Sequence, residues 1–435
     1  MKWYLAAAFL LLLALVFQLG LVAYAMYALF ALLISSRLLS RLWIENLSAS
    51  RECNRLSAEI GERVAVAVTV TNRGRLPVPW VLLEDVLPRG ALLQRPPRLR
   101  VTGKRLAIAL VRGHGRKLML YQLHFEMRGY YQIGPCMLES GDLFGLHRVY
   151  RVASAPTFVL VYPKVIPLVG FDIASRRPIG EVRLSHRLFE DPTRISGVRL
   201  YQAGDPLNRV HWRASARTGV LHSKVYEPSC IVGATVLLDF HTGSYHARHE
   251  PLRSELAVTT VATLVNAVYQ MDQQIGLVTN GRDAADRIRQ EGWDHDFRTR
   301  KSARQSAGMS ETSDRLRPLV VPTRRGPEQL RRILETLARV ELTDGLTFAQ
   351  LITEAACRLP ADATVIAVLG DVPLETAWAL GNLRRRGYAV TAVVVMFDEY
   401  QASECLGRLI AEGIDARSVT SEAALSALCQ QQLVR

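Results

Sequence analysis

The chain is 435 residues long, enough for two or three domains that each bury a core, and its 49% hydrophobic content argues against disorder. A net charge of +14, carried mostly by arginine, suits three kinds of partner: nucleic acid, anionic lipid or an acidic protein. Six cysteines (Cys53, Cys136, Cys230, Cys357, Cys405, Cys429) lie far apart without a CxxC pair, which argues against a disulfide framework or zinc site and for free thiols in a reducing compartment.

From Trp3 to Ile34 there is no charged residue, and Gln18 is the one strongly polar side chain. As a single straight helix this run would be about 48 Å long, against a hydrocarbon core of about 30 Å. It is therefore a steeply tilted helix with the body on the far side, or two short helices turning near Gln18-Leu19-Gly20. Lys2 precedes the run and Arg37, Arg41, Arg51 and Arg55 follow it. Because basic flanks stay cytoplasmic, this favours a transmembrane helical hairpin over residues 1–36. Ala23-Tyr24-Ala25 resembles a signal-peptide cleavage site, but the apolar run continues to Ile34 and a cleaved product would keep a hydrophobic stub.

After a charged stretch from Arg51 to Arg63 the texture becomes strand-like. Val64–Thr71 alternates β-branched residues and ends on the turn signal Asn72-Arg73-Gly74. Further apolar runs at Trp80–Val86, Arg105–Val111, Leu118–Met127 and Phe158–Tyr162 predict an antiparallel β-sandwich over residues 56–165. Nothing in it has a catalytic pattern, so its expected use is as a spacer or interaction module. Residues 166–233 form the connection to the next domain.

That connection holds the most information-dense stretch, Val198 to Gly219 (VRLYQAGDPLNRVHWRASARTG). Arg199, Arg209, Arg213 and Arg217 crowd around Asp205, with Tyr201 and Trp212 interleaved. Arginine can fork onto a carboxylate or stack on an aromatic face. Two readings stay open: Asp205 clamps arginines against the following domain, or the segment is a recognition surface for an acidic partner.

The stretch resembles the signature of the bacterial family catalogued as domain of unknown function 58, R-x-Y-x-x-G-D-x-x-x-x-I/V-x-W-x-x-x-A-R-x-G. Arg199, Tyr201, Gly204, Asp205, Trp212, Arg217 and Gly219 stand at its fixed positions. Gly129-Tyr130-Tyr131-Gln132-Ile133-Gly134-Pro135, Asp142-Leu143-Phe144-Gly145-Leu146 and Val161-Tyr162-Pro163 resemble further elements of the family, with Leu143 replacing a usual proline.

From Ala234 strands and helices alternate. Strands are predicted at Ala234–Phe240, Ile275–Thr279, Thr364–Leu369, Ala389–Met396 and Ala416–Val419, with helices at Glu255–Gln273, Glu328–Val340, Phe348–Arg358, Glu375–Arg386, Ala402–Glu412 and Glu422–Gln430. Continuous apolar strands, each followed by an amphipathic helix, predict a Rossmann-type parallel sheet covered on both faces over residues 234–435. Arg282 to Arg325 reads as a long excursion in this rhythm. Its acidic residues interrupt its basic ones, which argues against a nucleic-acid surface.

The resemblance implies that this α/β domain is von Willebrand factor A-like, a fold that often holds Mg²⁺ through D-x-S-x-S, a later threonine and a later aspartate. Asp239, Thr347 and Asp371 stand at the surviving positions, while His241 and Gly243 replace the serines and Ser244 comes one place late. The set is a degraded Mg²⁺ site, since imidazole is a poor Mg²⁺ ligand. The other reading makes Asp239 and Asp371 polar ends of core strands, satisfied by backbone N–H groups, with no cofactor.

No nucleophile elbow, Walker loop or dinucleotide fingerprint is present. The expectation is a membrane-anchored adaptor and not an enzyme. The resemblance implies partnership with an AAA+ ATPase of the MoxR type, at the inner membrane with both soluble domains cytoplasmic. The alternatives are a structural envelope-biogenesis protein acting through its β domain, and a metal-dependent hydrolase at Asp239, His241 and Asp371.

Overall fold

The computed structural model describes residues 9–10, 12, 16–17, 20–143, 145, 147–168, 189–202, 210–229, 233–291, 316–360, 364–426 and 428. The chain forms two compact units. The first comprises Met1–Lys164 with Asp283–Asp314 and Glu335–Val340; the second comprises Val165–Arg282, Arg315–Leu334 and Glu341–Arg435.

The first unit opens with the helix Gly20–Glu45, 26 residues long and about 39 Å at the usual rise. Among the described residues it is the one helix long and apolar enough to cross a bilayer, by length and composition. Gln18 and Leu19, where the sequence placed a hairpin turn, lie outside the described residues. The helix does not stop where the apolar run stops. Arg37 and Arg41 face solvent while Ser36, Ser40, Trp43 and Ile44 are buried, so its last turns are part of the sandwich.

Those buried serines are satisfied locally. Ser40 Oγ donates to the Ser36 carbonyl at 2.7 Å. Ser36 Oγ donates to Asp142 Oδ2 at 2.7 Å and lies 2.9 Å from His147 Nδ1, while Asp142 Oδ1 accepts the His147 N–H at 3.0 Å. Asp142 therefore fastens the helix to the loop between the strands Cys136–Gly141 and Arg148–Ser154. Replacing Asp142 with Ala leaves buried donors without an acceptor, at about 1–3 kcal/mol for such a group. Amide exchange across residues 36–45 should accelerate, with the strand Arg63–Asn72 unchanged; equal exchange would show that Asp142 does not hold the joint.

Three sheets follow the helix. One runs in the order Leu47–Cys53, Arg63–Asn72, Arg116–Phe125, Leu99–Gly103. The second runs Arg148–Ser154, Cys136–Gly141, Val78–Asp85, Leu106–Val111, and the third Ser57–Glu59, Thr157–Tyr162, Gly129–Ile133. All pairings are antiparallel except Ser57–Glu59 with Thr157–Tyr162. Alternation sets the core: Val64, Val66, Val68 and Val70 are fully buried on one face of their strand. The five predicted strands are present within two residues of their expected ends, but the sequence reading missed Leu47–Cys53, Ser57–Glu59, Leu99–Gly103, Gly129–Ile133, Cys136–Gly141 and Arg148–Ser154.

A buried ionic network lies inside this unit. Arg51 Nε donates to Asp85 Oδ2 at 2.9 Å, Arg51 Nη2 contacts Asp85 Oδ1, and Tyr121 Oη donates to Asp85 Oδ2 at 2.5 Å. Arg51 Nη1 also donates to the Ala155 carbonyl at 2.8 Å. Burial would lower the Arg51 pKa, but the hydrogen bond and charge of Asp85 outweigh it and hold the guanidinium above its ordinary value. Burial, with Asp85 adding to it, raises the Tyr121 phenol; the same causes push the Cys136 thiol up to about 12.

The second unit is built on a six-stranded sheet. Its strands are Gly233–Leu238, Gln274–Thr279, Leu319–Arg324, Thr364–Leu369, Val390–Val395 and Asp415–Val419, lying in the spatial order 3-2-1-4-5-6. All neighbours are parallel except the third, which pairs antiparallel with the second. Alternate residues Leu237, Val365, Ala367 and Leu369 face a core shared with Phe348, Leu351, Leu380 and Leu409. The long helix Leu252–Gln270, buried along most of its length, also packs on the sheet. The excursion expected from Arg282 to Arg325 is corrected at both ends: it contains the helix Ala284–Glu291 and the edge strand Leu319–Arg324, and residues 292–315 lie outside the described residues. The segment read as a connection contains an antiparallel ribbon, Phe189–Leu200 with His222–Ser229, and the helix Trp212–Thr218.

Candidate functional site

The signature segment builds a small, well-capped structure. Val210, buried, bridges to Ser223, and the His211 N–H donates to the His222 carbonyl at 2.8 Å. His211 then caps the helix Trp212–Thr218, its Nδ1 accepting the Ala214 N–H at 3.0 Å. Ser215, the buried residue of that helix, donates to the His211 carbonyl and accepts the His222 N–H at 2.9 Å. Gly219 ends the helix in the left-handed region at φ 71°, which only glycine adopts without cost. The signature's final glycine thus has a backbone reason.

Three of its side chains face outward. Trp212 is 68% exposed, and Arg213 and Arg217 are exposed beside it without a carboxylate partner among the described residues. Leu200, Val220 and Leu221 are exposed on the adjoining chain. Tyr201 donates its N–H to the Leu221 carbonyl at 2.9 Å, and Arg199 Nη1 donates to the Leu200 carbonyl at 3.2 Å. Gly204, Asp205 and Arg209 lie outside the described residues. Trp212, Arg213 and Arg217 are thus exposed, and the clamp reading turns on Asp205, outside the described residues.

The second candidate lies at the carboxyl edge of the sheet, between the first and fourth strands, where doubly wound sheets bind ligands. Asp239 is buried there and its Oδ1 accepts from the His241 N–H at 3.2 Å and from Asn280 Nδ2 at 3.0 Å. Asn280, which the sequence reading passed over, also donates to the Leu346 carbonyl at 2.9 Å and accepts the Phe240 N–H at 2.6 Å. It ties Asp239 to the loop preceding Thr347. Its signal was a polar side chain directly after a core strand.

Arg253, also missed, is buried: its Nε donates to the Val395 carbonyl at 2.9 Å, its Nη2 contacts the Gly370 carbonyl, and its guanidinium lies 5.7 Å from the Tyr245 ring centre. It joins the ends of the fourth and fifth strands to the loop after the first.

Asp239 Oδ2 makes no hydrogen bond of acceptable geometry, although the Ser244 hydroxyl is near enough to favour the ionised form. Burial nevertheless dominates and raises the Asp239 pKa. An orphaned buried oxygen is what a metal ligand would leave, but the remaining donors are turned elsewhere. His241 Nδ1 accepts the Gly243 N–H at 3.0 Å; Asp371 Oδ1 accepts the Val372 N–H at 2.8 Å and faces Cys405 Sγ at 3.7 Å. Thr347 caps the helix Phe348–Ala355 in a reciprocal capping box with Gln350. Mg²⁺ wants hard oxygens around an octahedron, and this donor set does not fit it.

The raised pKa has a sign. The fold favours the protonated Asp239 carboxyl, so this contribution is fully present below the unfolded pKa of about 3.9 and lost as pH rises through the folded one. Asp239→Asn keeps an acceptor for Asn280 and should melt no lower than the parent at pH 7, with the difference vanishing at pH 4. Asp239→Ala should melt lower at both, by about 1–3 kcal/mol of lost pairing. A lower Tm for Asp239→Asn at neutral pH, with Mg²⁺ raising the parent's Tm alone, would overturn the metal-free reading.

Comparison with known proteins first gives a class. The family described as "Protein of unknown function DUF58" matches residues 197–299, which include the end of the strand Phe189–Leu200, its partner His222–Ser229, the signature helix and the first two strands of the sheet. A particular relative is the Bacillus subtilis (strain 168) protein described as "Uncharacterized protein YeaD", 25% identical over 270 residues. The match spans 61% of this chain and 64% of that protein, less than two thirds of the relative's length. Among solved structures, the CARDB domain of the PF1109 protein from Pyrococcus furiosus aligns over 26% of this chain and 91% of its own, at 14% identity and a TM-score of 0.19. Proximal thread matrix protein 1 from the mussel byssus aligns over 46% of this chain and 47% of its own, at 12% identity and a TM-score of 0.30. Both scores are too low to transfer a fold.

Proposed function

We propose that this chain is a membrane-anchored, non-enzymatic adaptor of the domain of unknown function 58 family, whose signature segment docks a protein partner. One observation carries the reading: Trp212, Arg213 and Arg217 stand on a rigidly capped helix with their side chains in solvent. An exposed tryptophan flanked by arginines is the composition of a binding hot spot. The resemblance makes an AAA+ ATPase of the MoxR type the partner to test. The helix Gly20–Glu45 and the apolar run before it supply the anchor, as a hairpin with both soluble units in the cytoplasm; Arg37 and Arg41 support that orientation. The strand order, with Asp239 and Asp371 at the carboxyl ends of the first and fourth strands, supports a von Willebrand factor A-like reading of the second unit.

The experiment is affinity capture by the full chain in detergent, with and without ATP. The adaptor reading expects an AAA+ ATPase among the captured proteins, lost with Trp212→Ala. Its absence under both conditions would sink the partnership.

A further inference from the structure

The end of the sandwich beside which the apolar helix leaves is basic and partly apolar. Ser36, at the point where the helix becomes mostly exposed towards its N-terminus, is held by the loop that carries Asp142 and His147. Trp80 Nε1 donates to the Asp142 carbonyl at 3.3 Å, which sets this loop at the start of the strand Val78–Asp85. Val78 pairs with Val111, and Leu47 and Asn72 pair at the same end of the other sheet. The turns at residues 73–77 and 112–115 therefore share this end with the loop at residues 142–147.

Asn72 staples the two turns, its side chain donating to the Leu76 carbonyl at 2.9 Å and to the Arg112 carbonyl at 3.2 Å. The Arg73 N–H donates to the Asn46 carbonyl at 2.9 Å, joining the turns to the end of the helix.

These turns, with the start of the strand Arg116–Phe125, carry exposed Arg73, Arg75, Arg112, Arg116 and Lys117, none paired with a carboxylate among the described residues. The sequence keeps acid away from them: no aspartate or glutamate occurs between Asp85 and Glu126, a stretch with nine lysines and arginines. Leu76 and Leu143, 54% and 71% exposed, stand among the same turns. The carboxylate of Asp142 is buried and already committed to Ser36 and His147.

We infer that this end of the sandwich, through Arg73, Arg75, Arg112, Arg116 and Lys117, rests on an anionic lipid surface as a second membrane contact beside the helix. The inference depends on the anchor reading above. Basic side chains near an anionic leaflet gain from its surface potential, and leucines interleaved with them enter the headgroup layer. The stapled, acid-free arrangement of the turns is what such a contact needs.

The test is hydrogen–deuterium exchange of the full chain in nanodiscs of phosphatidylcholine alone and in equal parts with phosphatidylglycerol. Amides of residues 73–76 and 112–118 should exchange about fivefold more slowly on the anionic discs. High salt, or Arg75→Glu with Arg112→Glu and Arg116→Glu, should return them to the neutral-disc rate while the strand Arg63–Asn72 keeps its own. A chain that inserts into both discs with equal exchange in these turns would overturn this inference alone. A chain that enters neither would overturn the anchor reading and this inference with it.

Discussion

Asp85→Ala should be among the most damaging single changes in the protein, costing about 3–5 kcal/mol. The Arg51 side chain is 1% exposed and that of Asp85 is fully buried, so removing the carboxylate leaves a guanidinium and the Tyr121 hydroxyl in a dry interior. The Ala155 carbonyl satisfies one Arg51 nitrogen but no charge. Exchange in the strands Arg63–Asn72 and Arg116–Phe125 should rise together as the first unit loses its global protection, and the thermal transition should fall. The triple replacement Arg51→Met, Asp85→Leu and Tyr121→Phe removes every charge at once and should cost far less than the single one, because no buried ion is stranded. If Asp85→Ala unfolds within about 1 kcal/mol of the parent, the network is not as buried as it stands here.

The second large effect concerns binding. Truncating Trp212 to Ala should weaken the captured ATPase by about 2 kcal/mol, about 30-fold in Kd, if the tryptophan anchors the contact. Its side chain is largely in solvent, so thermal stability should not move, and that separates a binding role from a structural one. Arg213→Ala and Arg217→Ala should lower affinity at low salt and lose most of that effect at high salt, as exposed charges do. Arg217→Lys tests fork geometry, since an ammonium keeps the charge but not the bidentate donor. Calorimetric titration against the purified ATPase reads all four; unchanged Kd for Trp212→Ala would move the docking surface elsewhere.

How much of this was legible depended on whether one face or two were covered. Thr364–Leu369, Gly233–Leu238 and Val390–Val395 announce themselves as near-continuous apolar runs because helices cover both sides. Val64–Thr71 announces itself by strict alternation. Cys136–Gly141 does neither: all six residues are buried, Glu139 and Ser140 included, because the helix Gly20–Glu45 packs against this strand. A polar strand roofed by a helix from a hundred residues earlier has no local signal. Leu319–Arg324 was hidden differently, by Pro322 and its charged neighbours, features that an edge strand tolerates.

The site divides the same way. Gly219 and Asp239 could be picked out of the sequence, the first by its motif and the second by its place after a strand. Asn280 stands directly after a core strand as Asp239 does and carried the same signal; Arg253 carried none, because its meaning lies in which carbonyls it reaches across the fold. Ser36 gives no signal in the sequence either, yet its hydroxyl, bonded to Asp142, is a means by which the apolar helix is held to the sandwich.

One residue, Asn46, separates the end of the helix at Glu45 from the first strand at Leu47. That spacing leaves no slack. A body hung on a long flexible leash would sample a hemisphere of positions above the bilayer, and its reach would depend on leash length. With a single residue of connection and Trp43, Ile44 and Ser36 built into the sandwich, the helix is a handle. In an anchored chain its tilt in the bilayer would become the tilt of the first unit, and uncoupling the two would take both glycines inserted at Asn46 and loss of the Ser36–Asp142 and Trp43 contacts.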